Sequence, residues 1–124
     1  MPHLVLEYTA NVPDRPDLDE LLHRLHDALA AAGPFELSKI KSRVVRHESF
    51  RAADGAADRS FVHLGAAVLD GREGEVLRSA ADALLAVLCE AFPRARREQR
   101  CDVTLEIREM PRALYFKALP LPLP

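Results

Sequence analysis

Met1-Pro2-His3-Leu4-Val5-Leu6-Glu7-Tyr8 is the stretch on which the reading of this chain turns. From His3 to Tyr8 the side chains alternate. Leu4, Leu6 and Tyr8 fall on one face and Val5 sits between His3 and Glu7 on the other, the period-two pattern of a strand. Pro2, just ahead of it, admits two readings. As the start of a strand it costs nothing, because a missing N–H at that place breaks no ladder bond. Alternatively the initiator Met is removed, and Pro2 carries a free secondary amine held by the strand behind it. A terminal α-amino group titrates near ~8. Desolvation or a nearby cation lowers that value into the range of a general base at neutral pH. Position alone does not choose between the two.

Working outward, Thr9 to Pro16 is a polar loop, and Asp17 with Glu20 three residues on has the pattern of a helix start. Leu18, Leu21, Leu22, Leu25, Ala28 and Leu29 recur at helical spacing, so a helix is expected to about Ala32, stopped by Gly33 as a left-handed cap and by Pro34. A second strand is expected over Ile40–Phe50, then a loop over Ala52–Asp58. The pattern then restarts. Phe61–Leu69 reads as a strand, Glu73 to Phe92 as a helix ended by Pro93, and Cys101–Met110 as an alternating strand. Laid on each other at an offset of 60 residues, Pro2-His3-Leu4 falls on Val62-His63-Leu64 and Ile40–Phe50 on Arg100–Met110.

The expected fold is therefore α/β (α+β): two consecutive β-α-β units forming a four-stranded sheet with two helices on one face. One domain, 1–124, holds units of about 1–58 and 59–118 and an extended tail, 119–124. The first and third strands carry apolar residues on both faces, which calls for cover by other subunits. A net charge of −2 gives no general attraction to nucleic acid or an anionic membrane. No apolar run approaches ~18 residues, and no basic segment leads into an apolar one. The chain is expected to be cytoplasmic, and Cys89 and Cys101 to be free thiols rather than a disulfide.

Only the first unit opens on proline; Val62 holds the matching place in the second. Candidate partners for an acidic substrate are Lys41 and Arg43, on one side of the second strand, and Arg72 after Gly71. Each also has an ordinary reading, Arg72 as a solvated loop cation and the strand pair as protection of a sheet edge. His23 and His26 share a helix face, but no third ligand joins them, so no metal is expected. Arg94, Arg96, Arg97 and Arg100 read as a solvated face at a helix C-terminus.

Met1-Pro2-His3 with Glu7, Gly33-x-Phe35, Ser42-Arg43-Val44, Ala53-Asp54-Gly55, Phe61-Val62-His63, Gly71-Arg72 and Phe116-Lys117 together resemble the 5-carboxymethyl-2-hydroxymuconate isomerase family. That family belongs to the tautomerase superfamily, with 4-oxalocrotonate tautomerase and macrophage migration inhibitory factor. The resemblance covers nearly the whole chain. It implies a homotrimer, working without a cofactor on a small carboxylate substrate in meta-cleavage of aromatic acids. It implies enol–keto isomerisation of a 2-hydroxy-dienoate, with Pro2 as base and Lys41, Arg43 and Arg72 holding carboxylates. Phe50 and Phe116 are implied as apolar walls. Lys41 stands where the family pattern has arginine, which keeps the charge and loses the bidentate fork. Two other readings stay open: a tautomerase of another 2-hydroxy-dienoate or an aryl pyruvate, and a non-catalytic binding trimer.

Overall fold

In the computed structural model, which describes residues 1–123, strand β1 (His3–Thr9) leads to helix α1 (Leu18–Ala32) and strand β2 (Lys41–His47). Strand β3 (Arg59–Leu69), helices α2 (Gly74–Ala91) and α3 (Pro93–Glu98), and strand β4 (Arg100–Met110) repeat the unit. The sheet order is β2-β1-β3-β4, with β1 parallel to β2, β3 parallel to β4, and β1 antiparallel to β3. That is the expected sheet. Its two long helices cover one face, burying Leu4 and Leu6 of β1 and Leu64 of β3 against Leu25, Leu29, Leu84 and Leu88. Each such leucine contributes about 1.5–3 kcal/mol by leaving water.

α1 begins where the sequence says it should: the Asp17 carboxylate accepts the Glu20 N–H at 3.1 Å. Its end differs. Gly33 is extended, with φ 174°, so it is no left-handed cap. Glycine is needed there for space, since a Cβ would stand 2.9 Å from Val76 on α2. β2 is shorter than expected because its sole partner runs out; Thr9 pairs with His47, and among the described residues no strand pairs with Glu48–Phe50. Pro93 ends α2 and also opens α3, since proline fits the first helical position. Arg94, Arg96 and Arg97 therefore belong to α3, and Arg100 starts β4.

The uncovered face is mixed rather than apolar. β1 presents His3, Val5 and Glu7, β2 adds Lys41, Arg43 and Val45, and β4 adds Thr104, Glu106 and Arg108. Polar pairs cross it, Glu7 with His47 at 2.8 Å and His63 with Thr104 at 2.7 Å. Leu119, Leu121 and Leu123 of the tail belong to no helix or strand and are exposed; Pro124 lies outside the described residues. Cys89 and Cys101 are free. No helix among the described residues is long and apolar enough to cross a membrane.

Candidate active site

Strand direction decides where the ionisable groups meet. His3 pairs with Lys41, so β1 and β2 start at the same end of the sheet. β3 runs against β1 and places Ala67 opposite His3, so its last residues reach the same end. β4 runs with β3, Leu69 beside Met110, and finishes there too. The chain before β1, the turn before β2 and the turns after β3 and β4 are thereby gathered at one edge.

There they line a cavity of about 210 Å³ bounded by Met1, Pro2, Pro34, Glu36, Lys39, Leu69, Arg72 and Arg112. Pro2 is buried, and its carbonyl accepts the Lys41 N–H at 3.0 Å, which fixes the start of β1. Gly71, at φ +103°, makes a turn that a side chain would strain, and it brings Arg72 back over the end of β3. Arg72 Nη1 donates to the Leu69 carbonyl at 2.9 Å and Nη2 to that of Pro34 at 3.3 Å. Its guanidinium lies 4.5 Å from the Phe35 ring centre, and its Nε is buried without an acceptor. Lys39 is tied to Glu36 at 3.3 Å. Burial first, then Arg72, Lys39, Lys41 and Arg112, hold the Met1 amine below its ordinary value. The same surroundings would act on an amine at Pro2, one residue on.

Of the residues singled out in the sequence, Pro2 and Arg72 come together here. Lys41 is near enough to act on the amine, but its Nζ donates to the Lys39 carbonyl at 3.1 Å and it does not line the cavity. Arg43 stands on the uncovered sheet face beside His3, whose imidazole is held below its usual value by burial, then by Arg43, Lys41 and the terminal amine. Phe50 is at the other end of the sheet, packed edge-on to Phe61 at 6.4 Å. β1 alone separates the two ends by roughly 20 Å. Phe116 is 83% exposed and walls nothing within one chain. Three lining residues escaped the sequence reading: Glu36, Lys39 and Arg112. The signal that could have found Arg112 was available, because parallel strands ending in register bring their succeeding residues side by side.

A larger groove, about 500 Å³, lies between α1 and β2, where His26 Nε2 is 2.7 Å from Ser42 Oγ. Asp19, Glu20 and Asp27 line it, so it repels a carboxylate. Among the described residues no group of three His, Cys, Asp or Glu is placed to hold a metal ion.

The family model for 5-carboxymethyl-2-hydroxymuconate isomerase matches residues 2–121. The 5-carboxymethyl-2-hydroxymuconate Delta-isomerase of Escherichia coli is 31% identical over 117 residues, covering 94% of this chain and 93% of that one. A crystal structure of a 5-carboxymethyl-2-hydroxymuconate isomerase from Deinococcus radiodurans R1 superposes with a TM-score of 0.86 at 35% identity, over 94% of this chain and 88% of that one. A fused wild-type 4-OT, a symmetric trimer, shares the fold at a TM-score of 0.76 and 16% identity, over 96% and 94% of the two chains.

Proposed function

The chain belongs to the 5-carboxymethyl-2-hydroxymuconate isomerase family and is an isomerase, and on that premise we propose that it isomerises a 2-hydroxy-dienoate carrying several carboxylates, with the Pro2 nitrogen as base. One observation carries the reading. Pro2 is buried at a cavity whose ionisable side chains are three cations and a single carboxylate already paired with one of them.

The chemistry is set by those groups. With Met1 removed, Pro2 is a secondary amine, and burial and the surrounding cations keep its lone pair free near neutral pH. It takes the proton of the 2-hydroxyl. The negative charge spreads over the oxygen, C3 and C5 of the dienolate, and Arg72 stabilises it while holding a carboxylate. The same nitrogen returns the proton to C5, leaving a 2-oxo group conjugated with a C3–C4 double bond. No atom is gained or lost, and no electron acceptor is needed.

The assembly we propose is a homotrimer in the cytoplasm, serving the breakdown of aromatic acids. Phe50, at the far end of its own sheet, could wall a Pro2 cavity only on a neighbouring chain. Exposed Leu114, Phe116, Leu119, Leu121 and Leu123 supply apolar surface for the contact.

The test is intact mass followed by turnover of a 2-hydroxymuconate-type dienol by the same sample. A chain lacking Met1 turns it over, and Pro2→Ala lowers kcat by about 10²-fold or more. A chain retaining Met1 is inactive, because its Pro2 nitrogen is an amide. An active Met1-bearing chain, or an unimpaired Pro2→Ala variant, would rule out the proline base.

A further inference from the structure

We propose that Arg112 is a substrate-binding residue which, lining the Pro2 cavity together with Arg72, holds a second carboxylate and makes the site select di- and tri-acids over mono-acids. The inference rests on the isomerase reading of this cavity and names its specificity element.

Both arginines owe their place to one topological fact, the common end of β3 and β4. Arg72 follows Leu69 by way of Gly71, and Arg112 follows Met110 by way of Pro111. Asp70 ties the two turns together: its N–H donates to the Met110 carbonyl at 3.0 Å, and its Oδ1 accepts the Arg112 N–H at 3.2 Å. The Arg112 guanidinium is steadied by Nη2 donating to the Asp70 carbonyl at 3.1 Å. Backbone carbonyls thus position both guanidinium groups and neutralise neither. Of the twelve other arginines, six, Arg24, Arg46, Arg59, Arg94, Arg100 and Arg108, are paired with carboxylates, and Arg72 and Arg112 are the two arginines that line this cavity. Among the described residues no carboxylate lies within ion-pair distance of Arg72 or Arg112.

Two uncompensated planar cations on one cavity repel each other and leave donors unused, which an anion with two separated carboxylates relieves. Lys39 cannot take that part so well, since Glu36 already shares its charge. Lys41 does not line the cavity and its amine donates to the Lys39 carbonyl, so Arg112 supplies the fork that lysine there lacks.

Calorimetric titration of the processed chain tests this with hexa-2,4-dienedioate (muconate) and hexa-2,4-dienoate (sorbate). They differ by one carboxylate, and neither carries the 2-hydroxyl that turnover needs. We expect Arg112→Ala to weaken muconate about tenfold or more and sorbate less than about twofold, with Arg112→Lys in between. Unchanged circular dichroism would establish that the variants fold. An equal loss for both ligands, no loss for muconate, or no muconate binding by the unaltered chain would overturn the proposal. With a dicarboxylate dienol, Arg112→Ala should raise KM and leave kcat nearly unchanged. A chain that discriminates the two ligands through Arg112 yet turns over no dienol would keep this inference and remove the proline base. Turnover through Pro2 without that discrimination would do the reverse.

Discussion

Under the proline-base proposal, Pro2 and Arg72 act on each other through charge as well as through a shared substrate. The Met1 amine, one residue ahead of Pro2, is held low first by burial and then by Arg72, ahead of Lys39, Lys41 and Arg112. A cation beside an amine disfavours its protonated form, so deleting the cation raises the pKa. In the processed chain, a nitrogen-15 titration of Pro2 should therefore find a midpoint below the ~8 of an ordinary terminal amine. Arg72→Ala should move that midpoint up. The acid limb of kcat/KM should move the same way, because the base works only when neutral. An unmoved midpoint in the variant would show that the Arg72 charge has no part in setting the value. Arg72→Lys, which keeps the charge and loses the fork, should leave the midpoint in place while weakening substrate binding.

Among the elements, α3 shows how a short helix is held where propensity would not hold it. Six residues cannot sustain a helix alone. Buried Asp14, from the loop before α1, reaches across to its first turn. One carboxylate oxygen accepts the Arg94 N–H at 2.9 Å and the other accepts that of Ala95 at 2.8 Å. Arg94 in turn pairs with Glu98 one turn on, at 2.7 Å. Asp14→Ala would leave two backbone donors without partners, one of them buried, and should lower the unfolding free energy by about 2 kcal/mol in a urea titration. A loss below about 0.5 kcal/mol would mean that water replaces the cap. Arg94→Ala, at an exposed pair, should cost far less.

For the molecule as a whole, the tail is the part with least to do in a single chain. Leu119, Leu121 and Leu123 are 76%, 87% and 93% exposed, whereas the leucines of the core are nearly all hidden. Burying even one of them on a neighbour contributes about 1.5–3 kcal/mol. Under the trimer proposal, sedimentation should give three times the chain mass of 13.8 kDa. Replacing the three tail leucines with serine should shift the equilibrium towards monomer at micromolar concentration. Fully trimeric variants would release the tail from any part in assembly. A monomeric unaltered chain would remove the trimer.

Sequence by itself determined the four strands and two long helices, the pairing of the repeated units and the family, because these rest on local information: alternation in His3–Tyr8, helical spacing after Asp17, and the ordered set of short motifs; the short helix α3 it left unseen. It also pointed to Pro2 and Arg72, each marked by a neighbour, the chain's start and Gly71. Tertiary structure decided what those residues meet. In the sequence Lys41 and Arg43 look equivalent to Arg72, because charge and strand position are all that a sequence displays. In the fold, one amine turns to a backbone carbonyl and the other cation faces the open sheet. Arg112, 40 residues beyond Arg72 and without any motif of its own, enters the site only because β3 and β4 are parallel and end together. Which charges converge is a property of strand direction and register, and those are settled by contacts far apart along the chain.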